Sequence, residues 1–399
     1  MTDLDRILPL WRELEASGAD YVLATLVAVE GSSYRRPGAR MLLAQDGRRV
    51  GTVSGGCLEA EVASRAWWLT ANGPAVERYS TADDDGERPY GSGCGGVIYL
   101  LLERRSTAHA LLMALEAAFN RRAPLAIATV LEGPRIAERA FACSTSGKLE
   151  APVDLGAPSF RLLSGERVGD HEADPVHSEL QHLADLSLAR RASLEERIST
   201  AETSTRVWAD YRAARPGLWI FGAGDDARPL VSLARELGWF VAVADGRSHL
   251  ATRTRFSAAD IVLALDIAAL PGAESARFDL HPTDAAVVMT HSFEQDTHIL
   301  ATLLSLGFPL AYLGALGPQR RTREVLAEAA RLLDFSGPVD EHVEQWLTHM
   351  HAPTGLDLGA EAPAAVALSI LAEAQQALNH GTALPLKQVR ATRAEVPQP

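Results

Sequence analysis

The feature that most constrains the fold is Leu218–Ala227, which reads L-W-I-F-G-A-G-D-D-A. A short apolar run enters G-x-G-x-x-A and leaves into helical periodicity, and Asp245 ends the next apolar run 21 residues beyond Gly224. Gly222 and Gly224 permit a tight turn and close backbone approach, and an acid at that distance is placed for a ribose hydroxyl. In its strand–turn–helix setting the pattern predicts a Rossmann-type parallel sheet. The flanking sequence agrees with it. Leu218–Phe221, Phe240–Ala244, Ile261–Leu265, Ala286–Met289 and Leu310–Leu313 read as buried strands, alternating with helices over Ala227–Leu237, Phe293–Leu306 and Arg321–Leu333. A helical tail follows, clearest over Pro363–Leu378.

The ligand of this crevice is less plain than its fold. Asp225 and Asp226 fall in the first helical turn, where a pyrophosphate would sit. Carboxylates there suit the helix dipole but repel a diphosphate. Either they turn away, or a Mg²⁺ intervenes, or the crevice does not take NAD in the usual way. Arg247 could accept a 2′-phosphate. Arg320 and Arg321, at a helix start, suit an anion and equally suit solvent. His291, Asp296 and His298 match no specific metal spacing.

The first half is mixed. An amphipathic helix over Leu4–Ala16 closes at Gly18; strands follow at Tyr21–Val29, Ala39–Ala44, Val76–Tyr79, Val97–Leu102, Leu125–Leu131 and Thr205–Tyr211, with a hairpin turn at Asp46-Gly47 and a helix over His109–Phe119. Asp83–Asp85 reads as a polar turn, and Glu166 to about Thr200 has only weak helical character. Arg212–Gly217 joins Pro and Gly and is the expected boundary. The expected fold class is therefore α/β: an N-terminal mixed α+β domain over 1–212, then a Rossmann-type domain with a helical C-terminal tail over 213–399.

Within the first half, Gly51–Glu61 reads G-T-V-S-G-G-C-L-E-A-E and is echoed by G-S-G-C-G-G at Gly91–Gly96. Each sets a cysteine, Cys57 or Cys94, against paired glycines that can take positive φ. Helical spacing after Cys57 places it at a helix N-terminus, where the dipole favours thiolate. That arrangement presents a thiol to a ligand, a metal or sulfur; it also suits a small buried residue at a tight turn.

Composition narrows the classes. A net charge of −13 over 399 residues argues against nucleic acid or an anionic membrane as the main partner. Three cysteines exclude a disulfide scaffold and suit a reducing compartment. The acidic start M-T-D-L-D-R has no apolar leader core, and no run approaches the roughly 18 residues of a membrane span, so the expectation is cytoplasmic. There is no phosphate loop, nucleophile elbow, zinc helix or paired C-x-x-C.

Taken together, the chain resembles the XdhC/CoxI family, maturation factors for molybdenum hydroxylases such as xanthine dehydrogenase. The motifs that carry the resemblance are Gly31–Met41 (G-S-S-Y-R-R-P-G-A-R-M), Val53–Val62 (V-S-G-G-C-L-E-A-E-V) and Gly93–Gly96 (G-C-G-G). In the second half they are Phe221–Leu230, Tyr312–Gly317 and Gly355–Pro363; mainly Arg135–Ser204 is unmatched. The resemblance implies a non-catalytic chaperone that binds molybdenum cofactor (molybdopterin), promotes its sulfuration and delivers it to an apo molybdenum hydroxylase, with a cysteine desulfurase as second partner and a homodimer as the assembly. On that reading Cys57 holds the metal or guards a sulfur. Arg35, Arg36 and Arg40 meet the phosphate or are ordinary loop charges. Ser32, Ser33 and Ser54, with the amides around Gly55 and Gly56, bond the pterin. Glu59 and Glu61 read as dipole-favouring or core-edge residues rather than catalytic ones. The rivals are an NAD(P)-dependent oxidoreductase working in the Rossmann crevice and a sulfur relay through Cys57 and Cys94.

Overall fold

The computed structural model describes residues 2–56, 58–80, 96–144, 160–162, 174–199, 204–335 and 337–389. The chain divides into two compact units, Met1–Arg215 and Pro216–Pro399.

The first unit opens with a capping box. The Thr2 hydroxyl accepts from the Asp5 amide and the Asp5 carboxylate accepts from the Thr2 amide, which starts α1 (Asp3–Ser17). Its buried stripe is Ile7, Leu8, Leu10, Trp11 and Leu14, and a left-handed Gly18 ends it. There follow β1 (Tyr21–Glu30), β2 (Arg40–Ala44), β3 (Arg49–Gly51), α2 (Glu59–Leu69), β4 (Ala75–Ser80) and β5 (Val97–Arg104). The strands form an antiparallel sheet in the order β3-β2-β1-β5-β4. Register decides what lies where. Thr25 pairs with Arg40, Met41 with Gly51, and Val97 with both Glu30 and Ser80. Glu30, Arg40, Gly51, Ser80 and Val97 therefore share one end of the sheet.

Then come α3 (Arg105–Arg121), β6 (Leu125–Val130), β7 (Arg139–Cys143), β8 (Phe160–Leu162), α4 (Pro175–Arg190), β9 (Leu194–Ser199) and β10 (Ser204–Arg212). These strands build a second sheet, β8-β7-β6-β10-β9. Each sheet buries its apolar faces under helices: Val62 and Ala66 of α2 pack on Val22, Leu26 and Leu100, while α4 covers Ala128, Val207 and Ala209. Val27, Leu101, Leu131 and Trp208 form the seam where the two sheets meet. The stretch expected to be only weakly helical holds α4, a full helix capped by Asp174 with Pro175 at its first turn. Asp83–Asp85 lie outside the described residues.

In the second unit β11 (Gly217–Phe221), α5 (Ala227–Glu236), β12 (Phe240–Asp245), β13 (Ile261–Ala264), β14 (Ala285–Val288), α6 (Phe293–Leu304), β15 (Tyr312–Ala315), α7 (Gln319–Leu332), α8 (Val339–Leu347) and α9 (Pro363–Asn379) follow in order. The sheet is parallel, in the order β13-β12-β11-β14-β15, the Rossmann arrangement with its switch point between β11 and β14. Both faces are covered, which is why β11 is apolar throughout. Leu218 and Ile220 face α5 and α9, whereas Trp219 and Phe221 face α6 and α7. His349–His351 lie just past α8. There His351 bridges to Gly314 of β15 and its ring stacks on Tyr312 at 4.4 Å. Among the described residues no helix is long and apolar enough to cross a membrane.

Candidate functional site

Three glycine-bearing motifs converge at the shared end of the first sheet. The loop after β1 runs through Ser32 and Tyr34, both exposed. A Cβ on Gly96 would stand 2.1 Å from the Ser32 carbonyl oxygen, and one on Gly55 would stand 2.6 Å from the Tyr34 ring. Backbone from the second and third motifs thus touches the first only because it carries no side chain. Cys57 and Cys94 lie outside the described residues; their described neighbours Gly56, Leu58 and Gly96 belong to this loop cluster.

Glu59, the first residue of α2, organises the turn. Its buried carboxylate accepts from the amides of Val53 (3.0 Å), Ser54 (2.9 Å), Gly55 (3.2 Å) and Gly56 (2.9 Å), and from the Ser54 hydroxyl at 2.6 Å. The Ser54 hydroxyl in turn accepts from the Leu58 amide. Gly55 and Gly56, at φ 99° and 121°, allow consecutive amides to point at one anion. Burial pushes the Glu59 carboxyl up, but these bonds outweigh it and hold its pKa below the ordinary value. The expectation that Ser54 and the loop amides face a ligand is corrected here, because they are spent on Glu59. Gly55 and Gly56 remain exposed. The sequence reads Glu59 as a dipole-favouring or core-edge residue, and its burial fits the second; the bonds to the turn were signalled only by a carboxylate two residues past Cys57.

The arginines separate. Arg40 is buried and paired with Asp210 of β10 at 2.8 Å, its other nitrogen on the Gly38 carbonyl. Its placement corrects the expectation that it meets a phosphate. Arg35 pairs with Asp3, while Arg36 is exposed without an ion-pair partner among the described residues.

In the second unit, Gly222 turns at φ 135°, where a Cβ would stand 2.6 Å from the Met289 carbonyl oxygen. Asp245, expected to face a ribose, has no exposed surface. It accepts from the Ala223 amide at 2.7 Å and from the Arg247 amide and guanidinium at 2.7–2.9 Å. Burial raises its carboxyl, Arg247 lowers it further, and the net shift is downward. Asp225 turns outward to Arg255 at 2.9 Å, whereas Asp226 is mostly buried, with Oδ2 3.0 Å from the His291 ring and Oδ1 buried without a hydrogen-bond partner among the described residues. Asp296 accepts from Thr290 and pairs with Arg321 at 2.6 Å. Arg320 projects into solvent beside Glu324. The carboxyl ends of these strands are therefore laced together by the chain's own ion pairs, and Gly224 sits against the Asp226 carboxylate. His291, Asp296 and His298 form no metal site; among the described residues no group of three or more His, Cys, Asp or Glu could hold one.

Comparison with known proteins gives the kinship. Residues 14–80 match the XdhC and CoxI family, and residues 218–374 match the XdhC Rossmann domain. A Bacillus subtilis relative, named as a probable xanthine dehydrogenase subunit, is 31% identical over 359 residues, 88% of this chain and 91% of the relative. The chain belongs to the XdhC and CoxI family. An Escherichia coli protein named molybdenum cofactor insertion chaperone PaoD is 36% identical over 132 residues, 31% of this chain and 38% of the relative. The crystal structure of a xanthine dehydrogenase from Bacillus halodurans superposes with a TM-score of 0.66 at 28% identity, covering 98% of this chain and 100% of that one.

Two further polar clusters of this XdhC and CoxI family chain escaped sequence reasoning. Glu15 accepts from Tyr21 (2.7 Å), Arg105 (2.7 Å) and Trp11 (3.2 Å) and lies 2.9 Å from His109, beside an open hollow of about 570 Å³. Burial raises the Glu15 carboxyl, but its donors bring it down to about 2. In the second unit Tyr312, Thr354, His351 and Gly355 gather around Glu373. Neither cluster has a periodic signature, because its members come from separate elements.

Proposed function

We propose that this chain is a molybdenum-cofactor maturation chaperone: it receives molybdopterin at the loop cluster of its first unit, shields it, and hands it to an apo hydroxylase of the xanthine dehydrogenase type. The observation that carries the reading is the convergence of Ser32 and Tyr34, Gly55 and Gly56, and Gly96 at one sheet end. The names borne by its relatives support the cargo and the client. Ser32 offers an exposed hydroxyl, the exposed Gly55-Gly56 turn lets a ligand approach closely, and Arg36, with Arg35 beside it, suits the phosphate. Cys57 and Cys94 supply soft thiolate, which suits the molybdenum or its terminal sulfur. A cysteine desulfurase provides that sulfur, and the chaperone works in the cytoplasm as a homodimer. Arg40 and Ser54 drop out of this set because Asp210 and Glu59 hold them. The reading assigns no nicotinamide step, and Asp245, the acid that a ribose would need, is bonded to Arg247.

Native mass spectrometry of protein purified anaerobically from a molybdopterin-producing host, wild type beside Cys57→Ser, tests this. The expected result is an adduct of molybdenum-cofactor mass that the substitution removes. An adduct of nicotinamide-dinucleotide mass, indifferent to Cys57, overturns the reading.

A further inference from the structure

At the seam between the two sheets of the first unit lies a cavity of about 300 Å³. A β-bulge between Leu26 and Ala28 breaks the alternation of β1, so that the consecutive residues Val27–Glu30 all line it. Val27, Val29 and Trp208 give it apolar walls, and Trp208 is itself 6% exposed. Its polar groups are few and convergent. Glu30 accepts from the Tyr99 hydroxyl with Oε1 at 2.8 Å, and Glu195, paired across the strands with Trp208, accepts from Arg206 at 2.6 Å. Glu30 and Pro37, both lining residues, bracket the loop that carries Ser32, Tyr34 and Arg36. A cavity of this size, lined about equally by polar and apolar surface, falls in the size range of small-molecule sites.

We propose that this cavity holds a flat bicyclic ring bearing a 2-amino-4-oxo-pyrimidine edge, which in this chain is the pterin of the cargo. The chemistry of the rim matches that edge. Its N3–H and 2-amino groups are donors that carboxylate oxygens of Glu30 or Glu195 accept, and its carbonyl is an acceptor for the Arg206 guanidinium. Val29 and the accessible edge of Trp208 touch the ring. Two carboxylates at the rim disfavour a phosphate or dithiolene inside, so the anionic end of the cargo stays out, toward the loop with Arg36. The inference rests on the chaperone reading for the identity of the ring, since guanine carries the same edge. Half of the lining, Ser193, Leu194, Glu195, Arg206 and Trp208, comes from sequence that none of the glycine motifs covers.

Fluorescence titration of the full chain with free pterin, with guanosine in parallel, tests it, using Glu30→Gln and Glu195→Gln. Both side chains are exposed at the rim, so the fold should tolerate these changes. Pterin binding that weakens at least about tenfold in either variant, with weaker molybdopterin capture, is the expected result; a charge-assisted bond is worth that much. Molybdopterin capture that persists unchanged in both variants, with no binding of free pterin, overturns this inference and leaves the chaperone reading standing. Pterin binding without any molybdopterin capture overturns the chaperone reading and keeps the ring site. Guanosine binding in place of pterin overturns the assignment of the ring.

Discussion

Glu59 accepts from four consecutive amides and one hydroxyl, so the Gly55-Gly56 turn is closed by an anion that the chain itself supplies. Glu59→Gln keeps the size but offers one acceptor and sets an amide N–H₂ against backbone donors. We expect a loss of about 1–3 kcal/mol of stability at neutral pH. The pH dependence has a definite sign. A folded-state pKa held below the ordinary 4.5 stabilises the chain at every pH above that value and loses the contribution as pH falls through the folded pKa. Wild type should therefore weaken on acidification more steeply than Glu59→Gln, by urea denaturation at stepped pH; parallel curves would sink this assignment. Residue identity was the least legible level. The spacing located Asp245 at its strand end, but the partner that claims it, Arg247, sits two residues away and reads as ligand-binding in sequence. Arg40 is seen as a loop charge until β10 brings Asp210 to it across 170 residues.

That pair belongs to the elements, for it ties β2 of one sheet to β10 of the other with both side chains about 3% exposed. Arg139 of β7 and Glu103 of β5 make a second buried link of the same kind. Burial lowers the pKa of Arg40 and Asp210 opposes that, so each charge depends on its partner. Asp210→Asn should cost about 3–5 kcal/mol by stranding a buried guanidinium, and adding Arg40→Met should recover much of it. Denaturant midpoints of the single and double variants decide the matter; a double variant no better than the single removes the ion pair from the account. Elements with strong period were legible: β1, β5, β6 and β11 to β14 lie where apolar runs place them, and β15 begins two residues later than expected. Those missed are the short strands β7, β8 and β9, while α4 read only as weakly helical because its buried Leu180, Leu183 and Leu188 are diluted by charged neighbours. Tertiary packing, not local preference, makes them.

At the scale of the whole chain, each unit has hydrophobic clusters of its own among the described residues, around Leu23, Leu26 and Ala128 in the first and around Ile220 and Phe221 in the second. Burial of apolar surface is the main stabilising term, so each unit carries its own. Two calorimetric transitions should result, and substitutions should sort between them. Gly222→Ala forces a Cβ onto the Met289 carbonyl at φ 135°, which combines left-handed strain with a clash. It should lower one transition by about 5 °C or more, while Asp210→Asn lowers the other. On the proposed reading molybdopterin binds the first unit alone, so it should raise the transition that Asp210→Asn lowers and leave the Gly222→Ala transition in place. A single transition that moves with both substitutions would make the chain one cooperative body. A ligand shift confined to the Gly222→Ala transition would move the cargo to the Rossmann crevice, against the ion pairs that fill it.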